Sequence, residues 1–445
     1  MTTLIFPLVR PRRPLARLCV LAAALSALAA AGVRAEDLGT SPYLFGDWGG
    51  QRKALAGQGV VFTFGYVSEI AHNTRGGSER LTRYTDQWAF GAALDLEKRW
   101  GWRGGLFQVT MTDRNGHDLG ADARIGNNML IQEVYGRGQT WHLTQFWLNQ
   151  TLLDERLEVK LGRMTVGEDF ASFSCDFQNL SFCGAQPGNV VGDYWVNWPT
   201  SQWAARIKYH TSDNSYLQLG AYQVNPTFID DRYARRSGWK PNNPGGTTGA
   251  LIPLEAGWQP AWHGLPGSWK VGAWYNTSEG EDLYLDLNRN PRGVTGLAPL
   301  QRNGRFGGYL SLQQQVTGRA GGRGATVFLN FTQADRHTSR LDRQLALGVQ
   351  YQGPFESRPL DSVGLAIGAT HNNGRFADFA GQNDVRTGQD TIAGSGYELV
   401  GEVYYAWNPV PSVSLRPNLQ LIRHPGGTSR NSNAVVIGLK TIIAF

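Results

Sequence analysis

Charged and aromatic side chains crowd around one stretch of the chain, residues 166–201. Arg163, Glu168, Asp169, Arg206 and Lys208 lie on it or beside it, and Asp113, Arg114, Trp195 and Trp198 form a second rank. An arginine set against a carboxylate creates a transverse field that orients polar neutral solutes, and passage requires that such binding stay weak enough for release. Indole faces and guanidinium forks add stacking surfaces and hydrogen-bond donors. This is the chemistry of selection without turnover. The alternative for each of these residues is a solvated wall or rim position. Enzyme signatures do not accompany them. There is no HExxH, no GxSxG and no P-loop, and the eight histidines are scattered without metal-ligand spacing. The glycine-rich run Gly318 to Gly324 lies between two alternating segments and reads as a turn. No cofactor is expected. A rival class, an enzyme with dispersed catalytic groups, nominates no nucleophile.

The same stretch contains Cys175 and Cys183, with seven residues between them. The third cysteine, Cys19, precedes an apolar run near the amino terminus and lies outside any lipobox. An even pair in a polar, glycine-containing loop is expected to form a disulfide in an oxidising compartment, the alternative being two buried thiols.

These side chains have to be positioned by elements of period two. The final segment, Asn433 to Phe445, sets Val435, Ile437, Leu439, Thr441, Ile443 and Phe445 on one face, and Lys440 is its only charge. Such alternation recurs from Val60 onward. Trp88, Phe90, Ala92, Leu94 and Leu96 oppose Asp95 and Glu97, and Phe107, Val109 and Met111 oppose Gln108, Thr110 and Thr112. Leu157, Val159 and Leu161 oppose Glu158 and Lys160, while Trp203, Ala205, Ile207 and Tyr209 oppose Arg206, Lys208 and His210. A segment within 141–153 has an ambiguous register. Further segments over 215–224, 251–259, 269–277, 306–316, 325–333, 343–352, 361–371, 396–407 and 412–422 bring the total to about sixteen.

The connections sort by length. Short ones at 154–156, 212–214, 317–324 and 408–411 alternate with long ones at 114–140, 166–201, 225–250, 278–305 and 372–395. Tight turns on one rim and long loops on the other are the mark of an up-and-down antiparallel transmembrane β-barrel. A soluble sandwich has no reason to sort its loops this way. About sixteen strands leave an aqueous channel rather than a packed lumen. The apolar faces then meet lipid, with Trp and Tyr near the strand ends at its two interfaces.

Residues 1–35 read as a signal peptide: a basic start from Arg10 to Arg17, an apolar run from Leu18 to Ala31, and small residues around Val33 to Ala35. Five of the 42 basic residues and none of the 36 acidic ones lie there, so the remainder is within one charge of neutral and nucleic acid is not an expected partner. Residues 36–59 are expected to form an amino-terminal periplasmic segment, with Asp47 capping a short helix over Gln51 to Ala56, and residues 60–445 the barrel.

Two motifs carry a family resemblance. Phe45-Gly46-Asp47-Trp48-Gly49-Gly50, with Arg52, Leu55 and Gly59, resembles the amino-terminal signature of the OprB-like carbohydrate-selective porins. Cys175, Phe177-Gln178-Asn179 and Phe182-Cys183-Gly184 resemble a loop of the same family. The resemblance implies a Gram-negative outer-membrane porin for passive diffusion of small sugars such as glucose, through a water-filled channel narrowed by residues 166–201 as an inward-folded third long outer loop. A general or anion-preferring porin is the alternative, and a cross-linked external loop is the alternative for 166–201. The partners it implies are permeant sugars, outer-membrane lipid and other copies of the chain, as a trimer, or none, as a monomer.

Overall fold

The computed structural model describes residues 39–445, so the signal-peptide expectation lies outside the described residues. From Val60 the chain forms sixteen antiparallel strands that close on themselves. They are β1 (Val60–Arg75), β2 (Thr82–Asp95), β3 (Gly105–Gly116), β4 (Trp141–Leu152), β5 (Leu157–Met164), β6 (Gln202–Ser212), β7 (Ser215–Val224) and β8 (Gly249–Trp258). The second half continues with β9 (Leu265–Asn276), β10 (Arg305–Gln315), β11 (Gly324–Ala334), β12 (Leu341–Gln352), β13 (Ser362–Asn372), β14 (Tyr397–Val410), β15 (Val413–Arg423) and β16 (Ala434–Ala444). Each strand pairs with its neighbours in sequence, and β16 returns to β1 in a register running from Gly65↔Ala444 to His72↔Ile437. Closure leaves no strand edge, the condition for a sheet whose outer face has only lipid to meet.

The outward face is apolar. Leu161, Ile207, Leu219, Leu254, Val271, Leu365, Ile367, Leu421 and Ile437 are exposed on it. Exposed Trp258, Trp262, Trp269, Tyr351 and Trp407 ring the short-turn rim, and Trp141, Tyr275 and Tyr397 lie towards the other. The inward face carries Glu69, Lys160, Arg206, Glu255, Gln344, Glu402, Gln420 and Lys440, all buried. They are buried because loops fill much of the lumen.

Loop parity holds with three exceptions. Outer connections 117–140, 165–201, 225–248, 277–304 and 373–396 are long, but 76–81, 335–340 and 424–433 are short. Residues 165–201 are therefore the third outer connection but the second long one. The ambiguous register at 141–153 has a cause: Thr110 pairs with Gln145 but Met111 with Leu143, so Thr144 is an extra residue that reverses the alternation. Beyond this bulge Phe146 points outward onto Phe107, ring centroids 5.4 Å apart.

At the amino terminus a helix spans Gln51–Gly57 as expected, but its cap is Gly50, not Asp47. A 3-10 turn over Trp48–Gly50 intervenes, and Asp47 instead accepts from the Lys53 N–H through its side chain. The helix sits at the barrel seam. Arg52 lies over Tyr43 and Trp48, and donates to the carbonyl of Phe62 and to the terminal oxygen of Phe445.

Candidate functional site

Two loops, 117–140 and 165–201, turn into the barrel and pack on its inner wall. In the third loop Phe177 inserts among Phe182, Phe328 and Tyr404, with centroids 5.3, 6.0 and 4.9 Å away. Trp195 is fully buried against Trp274 and Tyr309. Local sequence shapes these turns. Asp118 caps Leu119–Asp122, Asn179 caps Leu180–Phe182, and Pro187 opens the short helix Gln186–Val190. Cys175 and Cys183 are joined in a disulfide that closes the segment around Asn179.

Wall carboxylates grip the loop backbones. Glu402 accepts from the N–H groups of Gln178 and Asn179, both at 2.8 Å, and Glu398 from Asn128 at 2.7 Å and Met129 at 3.3 Å. Glu255 accepts from the Ala171 N–H at 2.7 Å and from the hydroxyls of Tyr216 and Tyr309. Inward-facing charge thus serves first to fix the loops, since a buried carboxylate persists only when its lone pairs are taken up.

Between the loops and the wall at β1, β2, β3 and β16 lies a cavity of about 610 Å³. Its polar lining includes Gln87, Arg114, Glu133, Arg137, Asn197 and Trp198. Arg114 donates to Gln87 at 2.8 Å and to the Tyr135 carbonyl at 3.1 Å, and stands 3.8 Å from the Glu133 carboxylate. Trp198 donates its indole N–H to the same Gln87 oxygen at 3.1 Å. Arg137 donates to the Gly192 carbonyl of the third loop at 2.9 Å, and burial lowers its pKa against the attraction of Asp231 and Asp193. An arginine beside a carboxylate, with a second arginine, amides and an indole on the same cavity, can exchange hydrogen bonds with a neutral polyol.

Below this cavity a ladder of charge follows β5 and β6. Lys160 pairs with Glu168 and Asp169, Arg206 with Asp169 at 3.7 Å and Glu158 at 2.9 Å, and Glu158 with His210 at 2.8 Å. Burial raises the pKa of the Glu168 carboxyl, opposed by the Lys160 ammonium. Lys208 lies 4.3 Å over the Tyr216 ring.

Of the residues singled out in the sequence, Arg114 and Trp198 line the cavity and Glu168 touches it. Asp169, Arg206 and Lys208 face the lumen wall below. Trp195 anchors the third loop. Two residues are misplaced by the sequence reading. Arg163 alternates with the exposed Leu161 and so points out of the barrel, where loop 225–248 covers it: it donates to the carbonyls of Asn242 and Ser201 and lies over Phe228. Asp113 pairs with Trp88 and Trp141 on the outward face and accepts from Asn115. Sequence reasoning missed Glu133, Arg137 and Lys440. The first two lie in a loop without periodicity; the third is the single charge of the closing strand.

Residues 79–445 match the family model described as carbohydrate-selective porin, OprB family. Porin B of Pseudomonas aeruginosa is 41% identical over 452 residues, covering 97% of this chain and 98% of that protein. A putative porin of Acinetobacter baylyi, QuiX, is 34% identical, covering 91% and 93%. A high-pH structure of Pseudomonas putida OprB superposes with a TM-score of 0.88 at 40% identity, over 92% of this chain and 99% of that one. The chain therefore belongs to the OprB family of carbohydrate-selective porins, channels of the Gram-negative outer membrane.

Proposed function

We propose that the channel passes small neutral sugars such as glucose by passive diffusion, and that the second and third loops together form its selective constriction. The arrangement of Arg114, Glu133 and Arg137 around one cavity is the observation that carries this reading. A monosaccharide fits a space of about 610 Å³, and its hydroxyls meet donors and an acceptor in the same lining. Trp198 offers an indole for the apolar face of a pyranose ring. The ladder along β5 and β6 then gives an exit path on which Lys160 and Arg206 are paired with carboxylates and Lys208 lies over the Tyr216 ring. No energy source is required. Residues 1–35 serve in export, and the segment before Val60 lies on the periplasmic side with the short turns.

The test is ion current through single channels in planar bilayers with glucose added. The expected result is a concentration-dependent fall in current that Arg114→Ala weakens about tenfold in apparent affinity, the effect of losing one charged hydrogen-bonding partner. A current indifferent to sugar would leave a pore without the proposed selectivity.

A further inference from the structure

We propose that Lys440, on the closing strand, is a positioning residue of the constriction: its ammonium holds Glu133 and the third loop in place and sets the charge that the cavity shows to permeants. The inference rests on the constriction proposed above. Lys440 is itself almost wholly buried, at 1% exposure. Its Nζ donates to Glu133 at 2.9 Å, to the Cys175 carbonyl at 3.0 Å and to the Phe177 carbonyl at 2.9 Å. The carboxylate of Glu69 on β1 lies 3.2 Å away. One side chain thus joins the second loop, both ends of the Cys175–Phe177 turn and the strand across the barrel seam.

The geometry is specific. An ammonium has three donors, and here one goes to the second loop at Glu133 and two to the third loop at the Cys175 and Phe177 carbonyls, with the Glu69 carboxylate of β1 as a further ion-pair partner. Glu133 is shared: one carboxylate oxygen faces Lys440 and the other faces Arg114 at 3.8 Å. Arg114, Lys440, Glu69 and Glu133 form one group of two basic and two acidic side chains. The Val134 N–H, next to Glu133, is held by Glu69 at 3.3 Å, and Gln132 donates to the Glu69 carbonyl at 2.7 Å. The loop bearing Glu133 is therefore fixed on both sides by the same pair of wall residues.

Removing the ammonium takes one positive charge from that group and frees Glu133 to turn towards the lumen. A narrow, low-dielectric passage amplifies such a charge. The measurement is the reversal potential of the purified full-length channel in a KCl gradient, without sugar, so the outcome is independent of whether sugar blocks the current. Lys440→Met is expected to raise the cation-to-anion permeability ratio about twofold or more. Adding Glu133→Gln to Lys440→Met offsets the lost positive charge with the loss of one negative charge and is expected to return the ratio to the wild-type value. Lys440→Met with an unchanged ratio, or with a change that Glu133→Gln does not reverse, overturns the proposal. Should Lys440→Met fail to assemble, as judged by the loss of heat-modifiable migration, Glu133→Gln alone decides. It lies in a loop and takes one negative charge from the group, so the ratio is expected to move towards anions; no movement overturns the proposal.

Discussion

At the scale of single residues, parity decides which charges meet the permeant. Arg114 and Asp113 are neighbours, yet one lines the cavity and the other faces outward beside Trp88 and Trp141. The distinction was legible in the sequence. Phe107, Val109 and Met111 define the apolar face of β3, and Asp113 continues their series while Arg114 falls on the other. Leu157, Val159 and Leu161 likewise carry Arg163 outward. Types and proximity to a loop were weaker guides than strict alternation. Arg163→Ala is accordingly expected to leave single-channel conductance and sugar block unchanged, whereas Arg114→Ala weakens the block. Trp195 marks a third role, neither lining nor outward. Trp195→Ala should cost about 3–5 kcal/mol of local packing and show as flickering of the open channel, since the third loop loses its buried anchor.

At the scale of elements, the strands were readable because each carries its own periodic signal, and all sixteen segments overlap observed strands, although Leu96 and Glu97 of the second belong to the short helix Leu96–Trp100 that Asp95 caps. The inward course of the second loop was not. Its fixings are long-range: Asn128 and Met129 to Glu398, the Ile131 carbonyl to Gln420, and Glu133 to Lys440. No spacing within 114–140 reports partners some hundreds of residues away. The cross-linked turn of the third loop was nearer the surface of the sequence, through its cysteine pair. Replacing Cys175 and Cys183 together by serine should leave the barrel folded and raise current noise, because Glu402 and Lys440 still hold the turn. A separate element caps the outer rim. Asp282, in the loop after β9, is buried and accepts from the N–H groups of Tyr284 and Leu285 and from Arg302 and Arg375. Burial pushes its carboxyl up, but these donors overcome it and hold the pKa at about 2. A depressed carboxylate contributes stability above its unfolded pKa of about 4 and loses it as pH falls through about 2. Asp282→Asn should therefore detach this loop from the helix Gly374–Thr387 and increase protease nicking there at neutral pH, with little change in conductance.

At the scale of the whole molecule, the barrel and its contents stabilise one another. The wall supplies carboxylates that would be costly if left bare, and the loops supply the N–H groups that satisfy them. Closure brings β16 beside β1, and this seam is where Lys440 meets Glu69 and where Arg52 reaches the last residue. Chain closure and the proposed constriction share this one strand. The most direct measurement of the central claim is a structure of the protein soaked with glucose. The account predicts a sugar seated between Arg114, Glu133 and Arg137 with one ring face towards Trp198. Sugar found only at the mouths of the barrel, with that cavity holding none, would contradict it.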